Sequence, residues 1–223
     1  DYQALGASYQ AQGNFPQAKA MLIRSAELVR ESASLDSAAL LRLLEYEEKI
    51  ANLSLSLGEN LIAKVEFVIA LSTAEQASLA APQKIETRAK IAEISKIIGE
   101  LAASLDQYDE AESHYAKCLS IAAESANLAP DQDLWWILAG DCHNQLGALH
   151  QKRANLSNSK ASYEAALQAF EYLEQRNPQQ PTSYSGIATS YLGIAEVAAK
   201  LGNVDLALRS FQESFTFYKQ LAP

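Results

Sequence analysis

Two cysteines in 223 residues cannot form a disulfide framework, and a chain of this length can bury a sizeable core without one. Turn formers are scarce too: there are nine glycines and six prolines, fewer than the roughly 12% of residues that average usage supplies. Sandwiches and barrels need a turn about every 8 to 12 residues, so this scarcity excludes an all-β fold. Lysine and arginine number 18 against 27 acids, a formal net charge of −9. That balance argues against a nucleic-acid surface and against attraction to an anionic membrane, and it makes any charged partner basic. No apolar run approaches the ~18 residues of a membrane span, and no basic stretch followed by an apolar one opens the chain. The expectation is a soluble protein, and two potentially reduced cysteines place it in the cytoplasm. What the chain has in excess is alanine, 39 residues, the strongest helix former.

The sequence repeats itself. Ile98-Gly99, Leu146-Gly147 and Ile194-Ala195 stand 48 residues apart, Ile50-Ala51 lies one further period upstream, and Leu5-Gly6 follows after a step of 45. Seven residues after each small residue comes a break candidate, namely Gly13, Gly58, Asp106, Ala154 or Gly202, each an expected turn between two helices. Past the turns the columns continue. Ala18, Ala63, Ala111, Ser159 and Ala207 are small; Leu22, Phe67, Tyr115, Tyr163 and Phe211 are large; Ser25, Ala70, Cys118, Ala166 and Ser214 are small again. Pro82, Pro130 and Pro178 mark the connections, again 48 apart, where proline ends one helix and can begin the next. Each unit is therefore a helical hairpin. Small residues at matched positions let backbones approach while a bulky residue of the neighbour fills the gap. A hairpin cannot bury its apolar face alone, so the expected fold is all-α, an α-solenoid of about five antiparallel hairpins. The large column, Phe67, Tyr115, Tyr163 and Phe211, is expected to be buried.

The pattern of a large residue and glycine, a turn, then alanine, aromatic and small residues resembles the tetratricopeptide repeat. Leu5-Gly6 to Gly13-Asn14 to Ala18 carries it, as do Leu201-Gly202-Asn203 to Ala207 to Phe211, and Tyr108-Asp109-Glu110-Ala111 matches the opening of a second helix. The resemblance covers all five units, 1–35, 36–84, 85–132, 133–180 and 181–223, read as a single repeat domain. The usual period is about 34 residues, and two extra turns on each helix would absorb the difference. Ala51, Ala154 and Ser159 depart from the family residues at their columns. The long period and the Trp135-Trp136 entry look similar to arrays in bacterial multidomain signalling proteins. The first unit is short and the chain lacks an initiator methionine, so it reads as a piece of a larger protein whose exposed repeat ends could self-associate.

Catalytic signatures do not appear. His114 and Cys118 are spaced i, i+4, and Cys142-His143 fall on the helix expected to pack against theirs, so a metal site can be drawn. Yet Cys118 occupies a column of small residues and is read as core; whether it is free or bridged to Cys142 stays open. There is no CxxC, HExxH, GxSxG or phosphate loop, and the chain is read as non-enzymatic, with no cofactor and no metal.

In a tetratricopeptide superhelix the first helix of each hairpin lines a concave groove. The resemblance assigns to it Gln3, Ala7 and Gln10; Glu45, Glu48, Asn52 and Leu55; Glu93, Lys96, Glu100 and Ala103; Asp141, Asn144, Ala148 and Gln151; and Thr189, Leu192, Glu196 and Ala199. Six acids stand against one lysine there, which implies a protein or peptide partner, most simply a basic one. The basic clamp that holds a C-terminal carboxylate in some relatives has no counterpart. Trp135 and Trp136 offer a partner anchor if exposed, with Trp136, one period before Tyr184, assigned to the core. The leading function is a protein-binding scaffold; the alternative is a regulatory or sensory segment of a larger signalling enzyme or transcription regulator.

Overall fold

A computed structural model of the chain describes residues 2–31, 36–82, 84–178 and 180–221. Among the described residues there are ten α-helices and no strand, and no helix is long and apolar enough to cross a membrane. The chain divides into two compact units. The first, residues 1–107, holds α1 (Tyr2–Ala11), α2 (Phe15–Arg30), α3 (Ser37–Ser56), α4 (Asn60–Ala80) and α5 (Ile85–Ser104). The second, residues 108–223, holds α6 (Tyr108–Leu128), α7 (Asp133–Lys152), α8 (Leu156–Arg176), α9 (Pro181–Lys200) and α10 (Val204–Gln220). Within each unit every helix packs on the next in chain order, the α-solenoid arrangement of antiparallel hairpins, and in the second unit α7 also touches α9.

All five break candidates lie in the left-handed region: Gly13, Gly58 and Gly202 at φ 72°, 75° and 74°, Asp106 at 59° and Ala154 at 57°. The bonding is the same at each. The N–H of the left-handed residue returns three residues back, as Gly58 N to Leu55 O at 2.9 Å, and the next N–H returns five back, as Glu59 N to Ser54 O at 2.9 Å. This double closure satisfies carbonyls that a helix end leaves orphaned. Asn155 and Asn203 then serve twice, closing one helix through the backbone N–H and capping the next with side-chain oxygens that accept from Asn158 N and Leu206 N at 3.3 and 3.1 Å. One short polar residue therefore satisfies backbone groups on both helices of a turn.

The small columns are buried throughout: Ala18, Ala63, Ala111, Ser159 and Ala207, and Ser25, Ala70, Cys118, Ala166 and Ser214. Where serine replaces alanine its hydroxyl finds a carbonyl, Ser159 Oγ donating to Gly147 O and Ser214 Oγ to Ala188 O, both at 2.8 Å. Cys118 and Cys142 are both buried, and no disulfide joins them. Two expectations need correction. Leu22, Phe67, Tyr115 and Tyr163 are buried, but Phe211 is 41% exposed. In the second unit Tyr163 lies against Gly193 of the following hairpin, whereas α10 packs on α9 alone among the described residues. The core tryptophan is Trp135, fully buried; Trp136 is half-buried, with its ring 4.2 Å from that of Tyr172.

The aromatic rings of α8 fit against glycines on both neighbouring first helices. A Cβ added at Gly147 or Gly193 would stand 2.8 or 2.3 Å from the Tyr163 ring, and one at Gly140 or Gly186 would stand 2.5 or 2.4 Å from Phe170. No methyl fits at such distances without moving a buried ring.

The turns make a prediction. A left-handed alanine costs about 1–2 kcal/mol, so Ala154→Gly, after loss of chain entropy in the unfolded state, should raise stability by about 0.5–1 kcal/mol. Gly58→Ala should lower it by about 1 kcal/mol. Urea denaturation of both variants checks the pair, and a destabilised Ala154→Gly would contradict the turn geometry.

Candidate functional site

On the first unit, the residues assigned to the groove occupy one side of α3 and α5. Glu45 and Asn52 are exposed, while Glu48, Glu93, Lys96 and Glu100 are half-buried. Each carboxylate meets an ammonium: Lys49 Nζ lies 2.6 Å from Glu45, Lys96 Nζ lies 3.1 Å from Glu100, and Lys90 Nζ reaches Glu48 on α3 at 3.1 Å and Glu93 on its own helix at 3.6 Å. Three lysines thus share this face with four carboxylates. A count along the groove columns takes in Lys96 but not Lys49 or Lys90, which stand one helical step aside and swing in. Burial raises the Glu48 carboxyl above its ordinary range, against the pull of Lys90. Lys90 loses solvent as well, yet the charges of Glu48 and Glu93 outweigh that loss and hold its ammonium above the ordinary value. Asn52 donates to Glu48 O at 2.8 Å, and Gln3 on α1 accepts from Tyr46 Oη on α3 at 3.0 Å.

The second unit gathers its candidates more closely, because the glycines let α7 approach α9. A groove of about 570 Å³ is bordered by Asp141, Asn144, Gln145, Thr182, Ser185 and Thr189. An adjoining recess of about 220 Å³ runs past Ala148, Leu192 and Glu196 to the ring of Tyr163. Asp141, Asn144, Ala148, Thr189, Leu192 and Glu196 line these two recesses, and Gln151 joins them by donating from Nε2 to Glu196 at 3.3 Å. Asn144 is buried and fixed: its Oδ1 accepts from Ser190 Oγ on α9 at 3.0 Å. Thr189 Oγ1 lies 3.2 Å from Tyr218 Oη on α10. The columns miss Gln145, Thr182 and Ser185, which border the groove, as well as Ser190 and Tyr218; the sequence signal for the wider face is the pair Gly186 and Gly193, whose close approach exposes a second row of side chains to the cleft. This face is mainly hydroxyl and amide, with Asp141 and Glu196 as its carboxylates.

Tyr163 joins the packing to the recess. Its phenol is pushed up from 10.0 to about 12, first by burial and then by the charge of Glu196. A phenol with a raised folded pKa contributes stability that is fully present below its unfolded pKa and is lost as pH rises through the folded one. The fold should therefore weaken between pH 10 and about 12. In Tyr163→Phe this contribution is absent, so the fall in urea midpoint between about pH 8 and about pH 11 should be smaller than in the parent; an equal fall would assign the alkaline transition to other groups.

Comparison with known proteins places the fold. Residues 97–125 match the family model of the tetratricopeptide repeat. A search of curated protein sequences finds no match. Among solved structures the chain is similar to BtubC (BKLC) from P. vanneervenii, with TM-score 0.74 and 17% identity over 98% of this chain and 78% of that one. It is also similar to a Podosopora anserina protein with nearly identical TPR-like repeats, at 0.65 and 11% over 97% and 93%, and to MamA, at 0.54 and 12% over 96% and 95%. At these identities the likeness is one of fold. The chain thus has a tetratricopeptide-type fold of helical hairpins, and residues 97–125 carry the sequence of one such repeat.

Proposed function

We propose that the chain is a protein- or peptide-binding scaffold, one array of tetratricopeptide-like repeats of long period, and that it binds through the polar faces of its first helices. Helices α3, α5, α7 and α9 begin at residues 37, 85, 133 and 181, a constant step of 48 that supports the long-period reading. The observation that carries the function is the α7–α9 groove: an open cleft of about 570 Å³ lined by hydroxyls, amides and Asp141, on helices packed through rings on glycines. Such a cleft offers donors and acceptors to an extended backbone and the Asp141 carboxylate to a basic side chain, with Glu196 in the adjoining recess as a second.

The partner segment in this reading is basic, carrying lysine or arginine opposite Asp141 and Glu196. On the α3–α5 face the ion pairs already made by Lys49, Lys90 and Lys96 would have to rearrange before Glu45, Glu48, Glu93 or Glu100 could bind a cation. The reading assigns no catalysis to either face.

Fluorescence anisotropy with labelled peptides of one length, basic, neutral and acidic, tests this. The basic peptide should bind most tightly and weaken as salt rises from about 50 to about 200 mM, because exposed charges are screened over that range. Replacing Asp141 and Glu196 together by lysine should cost about tenfold in affinity, as expected for two reversed exposed charges. Replacing Glu164 and Glu213 on the second helices should cost far less. Equal losses from the two pairs, or binding indifferent to salt and peptide charge, would overturn the assignment.

A further inference from the structure

We propose that α10 pairs antiparallel with α10 of a second copy of this chain, closing a two-fold dimer. Val204, Leu208, Phe211, Phe215 and Tyr218 run along one side of the helix, each between 41% and 70% exposed. Their steps of four, three, four and three residues are the apolar repeat of a two-helix seam, and a continuous apolar stripe at the surface marks a contact face. Ala207, Ser210 and Ser214, on another side, are buried where α10 packs on α9. The stripe is therefore left over once the hairpin has formed.

This face differs from the one that an earlier second helix offers to the next hairpin. At the column of Leu208 those helices carry Lys64, Glu112 and Lys160. Lys64 donates to Gln107 at 2.6 Å and Glu112 accepts from Arg153 at 3.0 Å, each beside the turn of the following hairpin. Leucine can make neither bond, and in its place joins the apolar residues on either side into an unbroken seam.

Charge selects the occupant and its direction. Asp205 and Lys219 are exposed beside the stripe, seven residues before and seven after Gln212. In an antiparallel pair centred there, Asp205 of each copy faces Lys219 of the other, while Leu208 meets Tyr218 and Phe211 meets Phe215 in the seam. A parallel pair would set Lys219 against Ser214 and make neither ion pair. A seam complementary to itself takes a second copy, and two-fold pairing stops at the dimer. The face is distinct from the first-helix grooves and does not depend on the scaffold reading.

Sedimentation equilibrium of the full chain from about 5 to about 500 μM tests this, over a range that detects a small apolar contact. A monomer–dimer equilibrium should fit, with no larger species. Phe215→Glu, at the most exposed position of the stripe, puts a carboxylate into the seam and should weaken the dimer at least about tenfold, with the helix content seen by circular dichroism unchanged. Asp205→Lys or Lys219→Glu alone sets like charges opposite each other at both ends and should weaken it several-fold. The two together restore opposite charges and should return the dissociation constant to within about twofold of the parent. A strict monomer at every concentration, assemblies that keep growing, a dimer indifferent to Phe215→Glu, or a double variant no tighter than the singles would overturn the proposal.

Discussion

The ring of Tyr163 lies between Gly147 on α7 and Gly193 on α9, and one turn pair further along α8 the ring of Phe170 lies between Gly140 and Gly186. Much of the second unit depends on this contact. Two rings seven residues apart meet pairs of glycines also seven apart, so three helices lock in a single register. Because no Cβ intervenes, α7 and α9 come close enough to touch and to join through Ser190 and Asn144. The polar groove that they share follows from the same approach, since its side chains stand on the outer sides of helices whose inner sides are held by the rings. Packing and the candidate site are therefore two faces of one constraint, and Tyr163 belongs to both.

The same chemistry recurs on α10, which among the described residues packs on α9 alone. Phe211 and Tyr218 stand 48 residues beyond Tyr163 and Phe170 on α10, and each is 41% exposed. With Val204, Leu208 and Phe215 they form a stripe along the outer side of that helix. A repeat position states which side chain is available for burial; the neighbouring hairpin decides whether it is buried.

That distinction separates what was legible in the sequence from what was not. The turns were legible even where glycine is missing, because Asp106 and Ala154 inherit their place from the columns of Gly13, Gly58 and Gly202, and all five adopt the left-handed conformation. The small columns were legible for the same reason. Which tryptophan faces inward was not, since adjacent residues differ by about 100° around a helix. The signal lay one period away on either side: Trp135 shares its column with Thr87 and Ser183, both buried. On the candidate faces, the columns assign groove residues to the first helix of each hairpin but say nothing of Lys49 and Lys90. Those side chains reach the carboxylates by length and flexibility from positions outside the columns, and α3 and α5 must be placed before the reach of Lys90 to Glu48 can be known.

The claim that ring-on-glycine packing sets the register is tested most directly by a double-mutant cycle between Phe170 and Gly186, measured by urea denaturation. Gly186→Ala alone should cost about 1–3 kcal/mol, because the buried ring has to move, and Phe170→Leu alone should also destabilise by removing buried carbon. Together they should cost at least about 1 kcal/mol less than the sum, since the smaller side chain makes room for the new methyl. Strict additivity, within about 0.3–0.5 kcal/mol, would contradict the account.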